Sequence, residues 1–448
     1  MSGDRASIHR RGATRTGIQA LCRLALRAFF RRIEVAGAER LPAAGPVILV
    51  ANHPSSLVDP MVLLAVVRRP VCFLSKEPMF RMPVIGAFLR AMDAIPVYRA
   101  MDGADPRRNR ATFVKAQALL RRGGVLALFP EGTSHDDPRM KPLKTGAARI
   151  AVGAAATDTS GAPLPLTVVP AGLFFTAKGT FRSEALLSFG EPIPVEPLPL
   201  SENGEPLPAD VRALTRRLEA GLSTVVVQAE ADEALRLAAA AERLFAGEGE
   251  ALAERAALRR RLLDGRGRLA VADPAALDRL QRRVAAYESW AALVDPPPLR
   301  RGDVLRSAAA ALLAPAALAG AALHAPTWLA VDLAARRVAR DDRSMDATVK
   351  ILAGLVFYPV TWAILGLAAG LRLGVLGGLG TAAGVAACGL AALAFAEALA
   401  PLASLLRRAV LRLWRGRELR RLRAERDALR ADLLAAAERI EPAGAANQ

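Results

Sequence analysis

The chain has 448 residues, room for two or three domains, and 52% of them are apolar, more than an ordinary soluble protein carries, so membrane-embedded segments are expected. A net charge of +18 suits an anionic lipid surface, a phosphorylated substrate or nucleic acid, and does not choose among them. Three cysteines, Cys22, Cys72 and Cys388, with no CxxC spacing, exclude a disulfide framework and a cysteine zinc site, and fit a reducing compartment.

Residues 1–15 are polar and basic, and the apolar stretch after them is interrupted by Arg23 and Arg27, so no cleaved export leader is expected. Ile18, Leu21, Cys22, Ala25 and Phe29 recur near helical spacing and make residues 1–32 a basic amphipathic helix. Its apolar face suits a membrane surface and the following domain equally. Residues 33–195 alternate apolar runs ("VILVA", "VCFLS", "AIPVY", "VLALFP", "LTVVPAGLFF", "ALLSFG") with helical patterns at 61–67 and 111–121. That alternation predicts an α/β domain whose largely parallel central sheet is flanked by helices.

The proline-rich stretch 190–208 reads as a boundary, with a linker at 196–208. Residues 209–294 read as a helical module rich in Arg and Glu, with Asp273 and Pro274 starting one helix and Leu277, Leu280, Val284 and Tyr287 marking its apolar face. The "DPPPLRRGD" stretch, 295–303, ends the module. Residues 307–331 are apolar but carry Pro315, His324 and Pro326, and are expected to lie at an interface or re-enter from one side.

Residues 351–371 and 373–396 contain no charge, and each is long enough as helix to cross ~30 Å of hydrocarbon. Together they predict a transmembrane hairpin over 349–400, joined at Arg372. The basic helical tail, 405–448, has nine arginines against two glutamates between Arg407 and Arg426, which places it on the cytoplasmic side. It follows a predicted span, holds one aromatic residue, Trp414, and has no nucleic-acid-binding motif, so anionic headgroups of a phospholipid membrane are the expected partner and nucleic acid is not. A multi-pass protein of the cytoplasmic (inner) membrane with a cytoplasmic catalytic domain follows.

In "NHPSSLVDP", residues 52–60, His53 and Asp59 have the residue types of a general base and its orienting carboxylate. Taken alone, the pair reads more readily as a capping aspartate beside an incidental loop histidine. Two further strand ends change that reading. "LALFPEGTSHDDPRMKPLKTGAARIA" offers Glu131, hydroxyls, Lys141 and Lys144, and "AIPVYRAMDG" ends in Arg99. His135, beside Asp136 and Asp137, has no further histidine near it in sequence, and no metal is assigned.

The motifs "NHPSSLVDP", "IPVYR", "FPEGTS" and "VVPAG" stand in the order found in the glycerolipid acyltransferase family, which residues 30–195 resemble. Most of that family has four residues between the His and the Asp. The five here resemble the branch with the fungal glycerol-3-phosphate and dihydroxyacetone-phosphate acyltransferases, which also carries a long C-terminal extension with membrane segments.

The resemblance implies acyl transfer from a thioester, acyl-CoA or acyl carrier protein, to a glycerol phosphate hydroxyl in phosphatidic acid and phospholipid synthesis. His53 would be the base and Asp59 its orienter, and no cofactor is required. Arg99 would pair with the acceptor phosphate, Glu131, Gly132 and Thr133 would shape the acceptor loop, and Lys144 would add a second phosphate contact or be simply solvated. Lys76 is a weaker candidate of the same kind. Ser55, Ser56 and Ser134 read as capping or loop-bonding residues. Glycerol 3-phosphate is the leading acceptor, with 1-acylglycerol 3-phosphate as the alternative. A non-catalytic scaffold is a reading of another class, and the absence of a G-x-S-x-G elbow disfavours a serine hydrolase.

Overall fold

The computed structural model describes residues 2–440 apart from 100–101, 104, 157–163, 246–249, 295–300 and 341. The first six residues of the 295–303 stretch and the last eight residues of the basic tail lie outside the described residues. Two compact units result: Met1–Gln228 with Val338–Ile351, and Ala229–Arg337 with Leu352–Gln448.

The first unit is built on an eight-stranded sheet. Its strands are β1 (Arg32–Ala36), β2 (Val47–Ala51), β3 (Val71–Lys76), β4 (Ile95–Val97), β5 (Val125–Leu128), β6 (Leu166–Phe175), β7 (Glu184–Phe189) and β8 (Ile193–Val195). They stand in the order β1-β7-β6-β2-β5-β3-β4, with β8 also on β6. β2 runs parallel to both β5 and β6, and β3 parallel to β5 and β4, while β7 and β8 run antiparallel to β6. Every residue of β2 and β5 is buried, as expected of strands covered on both faces, which is why they stand out in sequence as unbroken apolar runs.

β1 escapes the sequence reading because Arg32 and Glu34 alternate with apolar residues on a half-exposed edge strand, where Arg32 pairs with Glu184 of β7 at 3.3 Å. The unit also continues past the expected boundary. Helix α6 (Pro208–Ser223), read from sequence as part of the helical module, turns Val211, Leu214, Leu218 and Leu222 into the same core as Ile48, Leu126 and Val168. Its apolar stripe has ordinary helical spacing, and only the tertiary structure assigns it to the sheet.

The remaining helices of this unit are α1 (Ser2–Phe29), α2 (Val58–Val66), α3 (Pro83–Ala91), α4 (Asn109–Arg121) and α5 (Gly146–Ala155). Cys22, Ala25, Leu26 and Phe29 of α1 are buried, Arg23 donates to the Ala65 carbonyl of α2 at 2.9 Å, and Arg15 donates to the Val71 carbonyl at the start of β3. This part of the basic amphipathic helix spends its apolar stripe on the sheet unit, leaving Leu21 and Leu24 exposed.

In the second unit, α7 (Asp232–Phe245), α8 (Leu252–Ala272) and α9 (Pro274–Val294) form a helical module. Leu237, Ala241, Val284 and Tyr287 pack with Leu429 of the tail. Asp273 accepts the Ala276 amide at 2.9 Å and so caps α9, and buried Glu242 is held by Arg255 at 2.6 Å and Arg259 at 2.5 Å.

The apolar 307–331 segment is not one element. The chain breaks at Leu313 between α10 (Arg301–Leu312) and α11 (Ala314–Val338), with Pro315 in the first turn of α11, where a missing amide costs nothing. Ala314–Val338 and Arg343–Leu399 are long and apolar enough to cross a membrane. The second belongs to α12 (Asp346–Ile440), which leaves helical geometry at Gly374 (φ 74°, ψ 175°), a conformation open to glycine. The chain folds back there: a Cβ on Gly366 would meet the Gly378 carbonyl and the Ala382 Cβ, each at 2.9 Å. Small residues let the two arms approach backbone to backbone. His324 of α11 is buried, donating from Nδ1 to the Gly320 carbonyl at 2.8 Å and accepting from Trp362 Nε1 at 2.9 Å.

Candidate functional site

β2, β5, β3 and β4 are mutually parallel, so their carboxyl ends gather along one edge of the sheet, the usual place for a site in an α/β fold. The loop after β2 carries His53, that after β5 carries Glu131, and that after β4 carries Arg99. Asn52 ties this edge to β6: its amide donates to the Leu173 carbonyl at 3.0 Å and accepts the Leu173 amide at 2.7 Å, extending the ladder by one side chain.

His53 Nδ1 lies 2.8 Å from Oδ2 of Asp59, which also accepts the Ser55 amide at 2.7 Å. Asp59 sits in the first turn of α2 and is fully buried. Burial raises its carboxyl above the ordinary carboxylate range, while the His53 hydrogen bond and charge, the Ser55 amide and the charge of Lys178 pull the other way. With Nδ1–H committed to Asp59, Nε2 is the nitrogen left to take a proton. The imidazole also stacks on Phe129, with ring centroids 3.9 Å apart and planes 11° apart, so both its tilt and its tautomer are set.

Glu131 is a hub within the protein. Its Oε1 accepts the His53 amide at 3.0 Å, and its Oε2 accepts the Lys141 amide at 2.7 Å and lies 2.5 Å from Nε2 of His135. The side chain is 1% exposed, so it fixes the loop after β5 against the histidine-bearing strand end. His135 adds a second tie, its amide donating to the His53 carbonyl at 3.2 Å. Among the described residues, no group of three or more His, Cys, Asp or Glu is arranged to hold a metal ion.

Arg99 gives two nitrogens to Asp102, at 2.6 and 2.7 Å, and a third to the Gly132 carbonyl. The pair holds the Asp102 carboxyl below its ordinary range. Gly132 has φ 77°, the left-handed region that favours glycine, and a Cβ there would stand 3.4 Å from Lys144 Cγ. Arg99 and Lys144 therefore converge on one residue, and the Lys76 charge reaches Asp102 from the end of β3. Thr133 makes a local bond to the Ser134 carbonyl at 3.2 Å. Pro170 of the fourth motif pairs in register with Val50 and packs near Gly190 and Gly221, beside the histidine strand rather than in the cleft.

Several contributors to the site carry no signal in the sequence. Asn52 and His135 were in view but had no local signal. Asn109 clamps Tyr98, accepting its amide at 2.9 Å and donating to its carbonyl at 2.6 Å, and so orients the backbone before Arg99. Most distant is the segment 342–351. Thr348 Oγ accepts the Leu57 amide at 3.2 Å, and Ser344 Oγ lies 3.2 Å from Ser134 Oγ.

Comparison with known proteins adds independent findings. A family model described as Acyltransferase matches residues 32–173. Glycerol-3-phosphate O-acyltransferase 2 of Saccharomyces cerevisiae is 26% identical over 322 residues, covering 48% of this chain and 43% of that protein. The chloroplastic 1-acyl-sn-glycerol-3-phosphate acyltransferase BAT2 of Brassica napus is 32% identical over 164 residues, covering 36% and 43%. The chain thus spans less than half the length of these relatives. Among solved structures, the 1-acyl-sn-glycerophosphate acyltransferase PlsC of Thermotoga maritima aligns with 24% identity and a TM-score of 0.36 over 48% of this chain and 79% of that one. Residues 32–173, the part that holds His53, Asp59, Arg99 and Glu131, form an Acyltransferase-family domain.

Proposed function

We propose that the protein transfers a fatty acyl group from a thioester, acyl-CoA or acyl carrier protein, to a hydroxyl of glycerol 3-phosphate or dihydroxyacetone phosphate. The observation that carries this reading is the 2.8 Å bond between His53 Nδ1 and the buried Asp59 carboxylate. It makes Nε2 the base that takes the hydroxyl proton as the oxygen attacks the thioester carbonyl. The imidazolium that forms is stabilised by Asp59. Collapse of the tetrahedral intermediate expels the thiolate, which leaves as thiol on receiving that proton. A thioester is already activated, so no serine or cysteine nucleophile is needed, and positioning the alcohol supplies much of the rate.

Arg99 and Lys144, converging on Gly132, are the proposed phosphate contacts, with a planar guanidinium suited to two phosphate oxygens. Arg99 already holds Asp102, so the phosphate shares or displaces that partner. Glu131, Gly132 and Thr133 shape the acceptor loop from beneath rather than by direct contact.

The proposed setting is the cytoplasmic membrane, where anionic headgroups meet the basic tail. Two apolar arms joined at the Gly374 reversal would cross the membrane twice and leave the start of α12 and the basic tail on the same side of it. The name of the Brassica relative supports 1-acylglycerol 3-phosphate as a second acceptor reading. Membranes containing the protein, given an acyl-CoA or acyl carrier protein thioester with labelled glycerol 3-phosphate, dihydroxyacetone phosphate or 1-acylglycerol 3-phosphate, decide between them. Exclusive acylation of the last would replace the leading acceptor, and no acylation of any would refute the activity.

A further inference from the structure

The five residues between His53 and Asp59 have to be folded into a turn whose two ends meet. The backbone absorbs them at Ser56, a non-glycine residue with φ 44°, the left-handed region. Val58 N–H closes the turn on the Ser55 carbonyl at 3.0 Å, and Ser55 N–H reaches Asp59. Leu57, at the N-cap of α2, has no side chain able to cap, so the amides at this helix start need acceptors from elsewhere.

For the Leu57 amide that acceptor comes from the far end of the chain. Asp342 accepts the Ser344 amide at 2.9 Å and starts a single 3-10 turn, Arg343–Met345, that lays the following helix on the catalytic turn. There Met345 Sδ accepts from Ser56 Oγ at 3.0 Å. Thr348 Oγ accepts from Leu57 N–H at 3.2 Å and stands 3.5 Å from the Ser55 carbonyl as donor. Ser344 and Thr348 are buried, and Lys350 pins the other side of the segment by donating to the Gly179 carbonyl at 2.7 Å. The family match ends at residue 173, so none of these partners belongs to the matched region.

We propose that Thr348 is a positioning residue for the His53–Asp59 pair. Its hydroxyl holds the strained turn closed about Ser56, so that the base is aligned only while residues 342–351 are seated on it. The inference rests on reading His53 as the base. It makes the start of α12, which runs on into the apolar hairpin, a part of the catalytic apparatus.

The test uses the full chain in membranes, with rates normalised to folded protein. Thr348→Val keeps the shape and removes both hydrogen bonds, and is expected to lower kcat about tenfold, the size of one lost hydrogen bond at a reacting centre, with KM for both substrates unchanged. Thr348→Ser restores kcat. In Thr348→Val/Ser56→Gly, where glycine takes φ 44° without strain, most of the lost kcat returns. Wild-type kcat in Thr348→Val, a change confined to KM, or no rescue by serine would overturn the proposal.

His53→Ala, run alongside, separates the two readings, because activity surviving there refutes the base and not the turn. The turn is then judged by a readout that needs no turnover, the rate of carbethoxylation of His53 by diethyl pyrocarbonate followed by peptide mass spectrometry. That rate rises in Thr348→Val if the imidazole is released, and an equal rate in both proteins contradicts the proposal.

Discussion

Oδ2 of Asp59 accepts two hydrogen bonds at once, from Nδ1 of His53 at 2.8 Å and from the Ser55 amide at 2.7 Å. A single oxygen thereby ties the His53 imidazole to the turn that separates it from Asp59.

Because burial raises the Asp59 carboxyl, the folded protein holds that proton to higher pH than the unfolded chain does. Between the ordinary carboxylate pKa, ~3.9, and the raised one, the folded state therefore binds more protons, and stability falls as pH rises. Asp59→Asn removes this slope, so its unfolding temperature gains on the wild type as pH climbs above that of ordinary carboxylates. The same variant loses roughly 100-fold or more in kcat, because a neutral amide neither fixes the tautomer nor stabilises the imidazolium. Thermal unfolding of both proteins from pH 4 to 7 checks the sign, and a wild type that gains on the variant with rising pH would contradict it.

Glu131 offers a sharper distinction between contact and support. Its carboxylate accepts two backbone amides, those of His53 and Lys141, and Glu131→Gln turns one acceptor into a donor facing an N–H. The expected cost is about 3 kcal/mol of stability together with lower kcat, from a buried unsatisfied amide beside the base. Acceptor KM changes little. A selective rise in acceptor KM, with stability kept, would show that Glu131 touches substrate instead.

Arg99→Lys keeps the charge but not the fork that spans Asp102 and the Gly132 carbonyl. Acceptor KM is expected to rise about tenfold, with donor KM unchanged, since an ammonium cannot make paired bonds to phosphate. Steady-state kinetics with each substrate varied in turn measures this, and an effect on the donor alone would move the phosphate site elsewhere.

Much of the fold of the first unit is legible in the sequence because β2 and β5 are buried throughout, β6 over most of its length and β3 over its first half, and so they appear as apolar runs. The charged edge strand β1 and helix α6 behind a proline-rich loop are not, because their membership of the sheet depends on packing rather than on local pattern. At the candidate site, His53, Arg99 and Glu131 are visible in sequence as residues at strand ends, and Asp59 as the carboxylate that follows His53. The residues that hold them are not. Asn52 meets a partner 121 positions away and Thr348 one 291 positions away, and nothing in a serine, threonine or asparagine announces such a bond. Glu131 stands out in sequence as a strand-end carboxylate, yet its use as an internal anchor appears only once its three partners are in place.

Topology gives a separate prediction. A cysteine replacing Arg372, beside the reversal at Gly374, is expected to react with a membrane-impermeant thiol reagent from the outer face. Cysteines replacing Arg343 or Gln448 react only after the membrane is permeabilised. Labelling of position 448 from outside would put the basic tail on the wrong side and remove the paired crossing.

The central claim is that His53 removes the acceptor hydroxyl's proton during acyl transfer. The most direct measurement is the initial rate of labelled glycerol phosphate acylation by membranes holding equal amounts of folded wild-type protein and His53→Ala, with acyl-CoA saturating. A loss of at least about 100-fold in kcat, with binding of both substrates preserved, is the expected result for removal of a general base. Equal rates in the two proteins would contradict it.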